Sequence, residues 1–128
     1  MKILVDTHAF LWAIGDDPRL SPRARQVLGA GRNELFFSVA SIWEILTKIQ
    51  IGKFRLPGPA GKYIQEKLVI SQMRVLPLLL SHTLQLEHLP LHHRDPFDRM
   101  LVAQSLEEDM PILTADPLLE DYPSKLIW

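Results

Sequence analysis

The stretch that decides the fold lies at the N-terminus, where residues 2–8 read Lys-Ile-Leu-Val-Asp-Thr-His. Its three apolar residues are consecutive, which is typical of a strand that is buried on both faces of a sheet. Thr7 and His8 end this strand, so that Asp6 lies at its carboxyl end. Parallel strands share one edge for their carboxyl ends, and acids that are far apart in sequence can meet there.

Asp116 repeats this pattern, because it follows the strand-like run of Ile112, Leu113 and Thr114. If its strand pairs with that of Asp6, a strand spacing of roughly 4.8 Å brings the two carboxylates within reach of one cation. Close carboxylates repel one another and are stable mainly around a cation or a shared proton. The pattern therefore favours a metal-dependent hydrolase. Three further acids lie near predicted strand or helix boundaries: Glu44, Asp95 and Asp98.

The rest of the chain alternates short β-rich runs with helical patterns. This alternation predicts a three-layer α/β sandwich with a central, mostly parallel sheet of about five strands flanked by helices. The length of 128 residues predicts a single domain over residues 1–128. The predicted strands are Lys2–Asp6, Glu34–Ser38, Arg74–Leu78, Pro111–Thr114 and, at an edge, Lys125–Trp128. The predicted helices are Ala9–Ile14, Pro22–Ala30, Val39–Ile51, Gly61–Gln72, Ser81–Glu87 and Pro96–Asp109, with a final turn from Pro117.

The composition limits the chemistry and the location of the protein. The chain has no cysteine, so a metal would be held by oxygen or imidazole, and carboxylates favour magnesium or manganese. No apolar run approaches the roughly 20 residues of a membrane span, and the N-terminus lacks the features of a signal peptide. We therefore expect a cytoplasmic protein with no membrane association. Residues 19–74 carry ten Lys or Arg against three acids, which predicts either a surface that tracks phosphates or ordinary solvated helix faces.

Several of these acids also have a purely structural explanation. Asp6 is a candidate cap for the helix from Ala9, although a functional role is favoured for it. Asp116 and Asp95 each precede a proline and are expected to cap a helix, and Asp95 is expected to support the site only in addition to this role. Asp98 falls in the first turn, where negative charge suits the helix dipole, but it borders the face that packs on the sheet and is the better candidate ligand. Glu44 lies off the apolar stripe of its helix and four residues before Lys48. Periodicity alone therefore favours an exposed ion pair at Glu44 over a metal ligand.

Aromatic and histidine side chains are given structural roles by the sequence. His8, beside Asp6, is predicted to be a hydrogen-bonded residue that orients its neighbour. The large aromatic residues are expected to fill cores or subunit contacts: Phe10, Trp12, Trp43 and Phe97. The remaining histidines lack the convergent spacing of metal ligands: His82, His88, His92 and His93.

Four segments, in this order and at this chain length, resemble the PIN-domain family of nucleases, and especially the VapC-like toxins of bacterial and archaeal toxin–antitoxin pairs. The segments are Leu-Val-Asp-Thr-His-Ala-Phe-Leu-Trp at 4–12, Ser-Val-Ala-Ser-Ile-Trp-Glu-Ile at 38–45, Pro-Leu-His-His-Arg-Asp-Pro-Phe-Asp-Arg-Met-Leu-Val-Ala-Gln at 90–104 and Leu-Thr-Ala-Asp at 113–116. The resemblance covers nearly the whole chain and implies a PIN-like fold. It also implies a magnesium or manganese site formed by Asp6, Glu44, Asp98 and Asp116, with Thr7 and Thr114 supporting it through their hydroxyl groups. Glu44 thereby moves from surface residue to ligand.

The resemblance further implies hydrolysis of phosphodiester bonds in single-stranded RNA, a homodimer and a cognate antitoxin partner. Two alternatives stay open: a housekeeping RNA-processing nuclease, and a catalytically silent RNA- or protein-binding module of the same fold. A phosphoacceptor receiver or phosphatase is disfavoured, because Thr7 stands where such a site would place a second acid after the first strand.

Overall fold

The computed structural model describes residues 1–92 and 94–128, so that the prediction for His93 lies outside the described residues. The strands are β1 (Lys2–Val5), β2 (Glu34–Ser38), β3 (Met73–Leu76), β4 (Ile112–Leu113) and β5 (Leu126–Ile127). The α-helices are α1 (Thr7–Ile14), α2 (Pro22–Gly29), α3 (Val39–Gln50), α4 (Ala60–Ile70), α5 (Leu80–Gln85) and α6 (Pro96–Glu108). Two 3-10 helices cover Leu86–His88 and Pro117–Asp121.

The sheet has the strand order β3-β2-β1-β4-β5, and every pair of neighbouring strands is parallel. Val5, the last residue of β1, is in register with Phe37 of β2 on one side and Leu113 of β4 on the other. The α/β prediction is therefore confirmed, and β5 lies at the edge as expected. The carboxyl ends of β1 and β4 are adjacent, which places Asp6 and Asp116 on the same edge of the sheet.

Two apolar layers pack on opposite faces of the sheet. Ile3 and Val5 of β1 belong to one layer, together with Phe37, whereas Leu4 belongs to the other, together with Leu101 of α6. This division follows from the period of two in a strand, since successive side chains point to opposite faces. Burial on both faces explains why β1 is continuously apolar.

The helix starts depend on side-chain caps. Ser21, Asp95 and Asp116 each accept a hydrogen bond from a backbone N–H of the helix that follows, as predicted. The prediction that α1 begins at Ala9 was wrong by two residues, because Asp6 is itself the cap and accepts a bond of 2.7 Å from the backbone N–H of Ala9. Within the described residues, every helix is too short or too polar to cross a bilayer.

Candidate functional site

Asp6 and Asp116 are joined by the side chain of Thr114. The Thr114 hydroxyl donates a hydrogen bond to Oδ2 of Asp6 and accepts one of 3.0 Å from the backbone N–H of Asp116. Oδ1 of Asp116 accepts a bond of 2.9 Å from Leu118 N–H, and its Oδ2 has no hydrogen-bond partner in the described part of the chain. One hydroxyl therefore sets the spacing between the two acids at the ends of β1 and β4.

Asp6 is a buried carboxylate with opposing influences on its charge. Burial raises the pKa of Asp6, and the charge of Asp116 adds to this increase. The hydrogen bonds from Thr114 and Ala9 and the nearby His8 act in the opposite direction. Both oxygens of Asp6 accept hydrogen bonds, so its orientation is fixed before any ligand arrives.

Glu44 is also buried, with 2% of its surface exposed. Its Oε1 accepts a hydrogen bond of 2.7 Å from the Thr7 hydroxyl, and its Oε2 lies 2.5 Å from Nζ of Lys48. The predicted ion pair with Lys48 is therefore present, but the prediction that it is exposed was wrong. The reason is that α3 contacts both α1 and α6. The buried residues of α3 are Ala40, Ser41, Glu44 and Ile45. Only Ile45 among them belongs to the apolar stripe that periodicity selects, which consists of Ile42, Ile45, Leu46 and Ile49.

Asp95 and Asp98 have different roles at the start of α6. Oδ1 of Asp95 accepts hydrogen bonds of 2.9 Å and 3.2 Å from the backbone N–H groups of Phe97 and Asp98, which confirms Asp95 as the cap. The carboxylate of Asp98 makes no hydrogen bond or ion pair with any described residue. Its pKa is raised to about 7 by burial, followed by the negative charges of Asp95, Glu44, Asp116 and Asp6. The charges of all four other candidate acids therefore act on the carboxylate of Asp98.

The donors at this site suit a hard divalent cation. The four candidate ligands contribute carboxylate oxygens, which magnesium and manganese prefer. The carboxylate of Asp98 is partly buried, has no hydrogen-bond or ion-pair partner among the described residues and has a raised pKa. These properties indicate that the protein does not compensate all of the negative charge at the site. Among the described residues, however, no three His, Asp or Glu side chains are close enough to hold a metal ion between them. Like charges repel, so carboxylates of this kind gather closely only around a cation.

A cavity of about 300 Å³ opens beside Asp6 and Asp116. Three of its other lining residues were not predicted to line a site: His8, Trp12 and Arg19. The imidazole of His8 is exposed and packs 5.9 Å from the Trp12 ring without a hydrogen bond to any described residue, so the prediction for His8 was wrong. The positions of His8, Trp12 and Arg19 depend on how α1 and the loop after it pack, which periodicity does not reveal.

The two aromatic residues next to the acids form a pair. The rings of Trp43 and Phe97 meet edge to face with their centroids 5.1 Å apart, which joins α3 to the start of α6. Trp43 is 59% exposed, so it does not fill the core, whereas Phe10 is fully buried as predicted. A subunit contact at Trp43 stays a prediction.

The model of one protein family, described as the PIN domain, matches residues 3–125 of the chain. The chain belongs to the PIN domain family. No curated protein matches its sequence. The family resemblance predicted from four segments is therefore confirmed over almost the full length.

This PIN domain is similar in fold to solved structures from three bacteria. A chain of the Rickettsia felis VapBC2 structure, bound to a DNA fragment from its promoter, matches with a TM-score of 0.74, 17% identity and coverage of 99% of this chain and 98% of that one. FitAcB from Neisseria gonorrhoeae matches with a TM-score of 0.67, 14% identity and coverage of 98% and 96%. VapBC-1 from nontypeable Haemophilus influenzae matches with a TM-score of 0.66, 13% identity and coverage of 99% and 97%. At these identities the likeness concerns the fold.

Proposed function

We propose that this PIN domain is a metal-dependent endoribonuclease that hydrolyses phosphodiester bonds in single-stranded RNA, and that it is the toxin of a type II toxin–antitoxin pair in the cytoplasm. The observation that carries the proposal is the meeting of acids at the carboxyl edge of the sheet, where Thr114 bonds to both Asp6 and the backbone of Asp116 and a cavity of about 300 Å³ opens beside them. The carboxylate of Asp98, in the first turn of α6, makes no hydrogen bond with any described residue, and its pKa is raised to about 7 by burial and by the charges of Asp95, Glu44, Asp116 and Asp6. Membership of the PIN domain family supports a nuclease.

Asp6, Glu44, Asp98 and Asp116 would hold Mg²⁺ or Mn²⁺. When bound, such a cation neutralises charge that develops on the phosphate oxygens and lowers the pKa of a bound water. The protein contributes orientation, because the Thr114 hydroxyl holds Asp6 and the Thr7 hydroxyl holds Glu44. Asp95 fixes the first turn of α6, from which Asp98 projects. Restricting carboxylates in this way lowers the cost of ordering them around a ligand.

A protein partner is supported by apolar side chains on the surface. Val69, Ile70, Leu80 and Leu84 of α4 and α5 are all more than half exposed. Val69 and Ile70 line one shallow, mostly apolar cavity, and neighbouring apolar side chains that stay exposed favour contact with another protein chain. We therefore propose both a homodimer and an antitoxin partner, and the VapBC structures of Rickettsia felis and Haemophilus influenzae, which share this fold, support the antitoxin. The alternative of a housekeeping nuclease predicts no antitoxin gene next to the gene for this chain.

The deciding experiment is cleavage of a mixed pool of single-stranded and structured RNA by purified protein, with Mg²⁺, Mn²⁺ or chelator. We expect cutting of single strands that depends on metal and is lost in Asp6→Asn. The matched control is Asp121→Asn, which removes an exposed acid outside the site and should cut as the parent does. Cutting that persists in chelator, or equally in Asp6→Asn, would contradict the proposal. A folded protein that binds RNA but never cuts it would instead be a binding module.

A further inference from the structure

A second cavity continues from the one beside the acids. It has a volume of about 320 Å³ and reaches Phe54, Arg55 and Leu56 in the loop before α4, and Tyr63 in that helix. The two cavities share His8, Trp12 and Arg19 in their walls. The two cavities lie side by side along these three residues, and the surface that they cover, from Asp6 and Asp116 to Arg55, is called here the Trp12 groove.

The side chain of Arg19 is 67% exposed and is oriented in this groove by Asp17 and Trp12. Its Nε and Nη2 lie 3.1 Å and 2.7 Å from the two carboxylate oxygens of Asp17, and its Cζ lies 4.8 Å from the centroid of the Trp12 ring. Nη1 makes no hydrogen bond with any described residue. A guanidinium that is fixed by a carboxylate and an aromatic ring loses little freedom when its remaining N–H groups bind a phosphate.

Trp12 is also fixed by its neighbours. The ring of Trp128 packs against it edge to face at 5.7 Å, and the ring of His8 lies 5.9 Å away. Tyr63 adds an aromatic side chain to the far part of the groove. Aromatic rings beside cationic groups are the features that bind single-stranded nucleic acids, because bases stack on the rings and phosphates contact the cations.

The loop after α1 is held by a second arginine besides Arg19. Arg25 already holds that loop, since its Nη1 lies 2.8 Å from Oδ1 of Asp16 and its Nη2 lies 2.9 Å from the carbonyl oxygen of Asp17. Arg25 lines neither cavity, whereas Arg19 lines both. The loop therefore has an anchor in Arg25 besides the Arg19–Asp17 pair, and Arg19 is the one of these two arginines that faces the cavities.

We propose that the Trp12 groove binds the single-stranded RNA next to the bond that is cut, with Arg19 contacting a backbone phosphate and a base stacking against the Trp12 and His8 wall. The inference rests on the proposed ribonuclease function. Asp6, Asp116 and Asp17 also line the groove, so the anionic strand is favoured over a cationic peptide when a divalent cation offsets Asp6 and Asp116 and leaves Arg19 and Arg55 facing Asp17 alone. The groove places that strand directly beside Asp6 and Asp116.

The test measures binding of a fluorescein-labelled single-stranded RNA of mixed sequence by anisotropy, with Mg²⁺ present, in an Asp98→Asn background that prevents cutting. Arg19→Ala should weaken binding about tenfold and reduce the slope of log affinity against log salt by about 0.7, the value for one phosphate contact on a single strand. Arg19→Lys should lose less affinity and keep the slope. Trp12→Leu should also weaken binding about tenfold, with the slope unchanged, because stacking releases no counterions.

The matched control is Arg23→Ala, which removes the same charge from an exposed position of α2 outside both cavities and should leave affinity and slope unchanged. Equal losses in Arg19→Ala and Arg23→Ala would show a general charge effect and overturn the proposal. Unchanged binding by folded Arg19→Ala and Trp12→Leu proteins would overturn it too, as would competition by polyglutamate as strong as that by unlabelled RNA. Metal-dependent cutting by the protein without these substitutions is measured in parallel, so that a failure of the groove is distinguished from a failure of the nuclease.

Discussion

Nζ of Lys48 lies 2.5 Å from Oε2 of Glu44, one helical turn earlier, and the pair joins a partly buried lysine to an almost fully buried carboxylate. The other oxygen of Glu44 accepts its bond from Thr7 of α1. Glu44 is thus neutralised from within its own helix and oriented from another. A cation at the site would share Glu44 with Lys48 and would join a carboxylate that is already in place.

Replacing Lys48 by Met should lower the free energy of unfolding by about 1–3 kcal/mol, because the buried Glu44 then lacks its counter-charge. Urea unfolding monitored by circular dichroism measures the change. Lys48→Arg should recover most of the loss. Lys53→Met, at an exposed position outside the helix, is the matched control and should be neutral within about 0.5 kcal/mol. Equal stability of Lys48→Met and Lys53→Met would show that solvent already screens Glu44.

The pKa of Asp98 predicts how stability changes with pH in the absence of metal. In the folded state it is raised to about 7 from an ordinary value of 3.8, so the folded protein binds the proton more tightly than the unfolded chain does. The associated stability is complete below about pH 4 and is lost as the pH rises through 7. We expect Asp98→Asn to be more stable than the parent at pH 8, by about 2 kcal/mol after allowance for solvent screening.

The measurement for Asp98 is urea unfolding in chelator at pH 5 and pH 8. The difference between parent and Asp98→Asn should shrink at pH 5, where Asp98 is protonated in the folded protein. Asp121→Asn serves as the exposed control and should show no such pH-dependent difference. A constant difference at both pH values would mean that Asp98 titrates normally.

Thr114 is expected to be a positioning residue. Thr114→Val removes the hydroxyl that donates to Asp6 and accepts from the backbone of Asp116. It should cost about 1–2 kcal/mol of stability and weaken Mn²⁺ binding, which is measured by isothermal titration calorimetry. Thr83→Val changes an exposed threonine of α5 in the same way and should leave Mn²⁺ affinity unchanged. Unaltered Mn²⁺ affinity in a stable Thr114→Val protein would assign Thr114 to folding alone.

Gln104 joins three segments inside the fold. Its Oε1 accepts a bond of 2.5 Å from the Ser38 hydroxyl, which also caps α3, and its Nε2 donates to the carbonyl oxygen of Pro77 over 3.2 Å and lies 3.3 Å from Nδ1 of the buried His82. Gln104→Leu should cost about 2–3 kcal/mol, since several buried polar groups lose their partner. Gln65→Leu, on the exposed face of α4, is the control. Thermal unfolding distinguishes them, and equal melting temperatures would contradict the role of this network.

The sequence by itself determined the order and type of the elements. The consecutive apolar residues of β1, the capping residues before three prolines and the acids behind β1 and β4 are local signals that act over a few residues. They placed Asp6 and Asp116 correctly at one edge, because parallel pairing brings strand ends together.

Only the tertiary structure decided how the side chains at that edge are held. Glu44 is buried because Thr7, 37 residues earlier, bonds to it and because α3 packs against two other helices. Asp6 is fixed by Thr114, 108 residues later, and the Trp12 groove depends on the packing of Trp12 against Trp128. Helical and strand periodicities describe neighbours within about one turn or one strand pair. Contacts between residues this far apart arise only when the layers of the fold assemble.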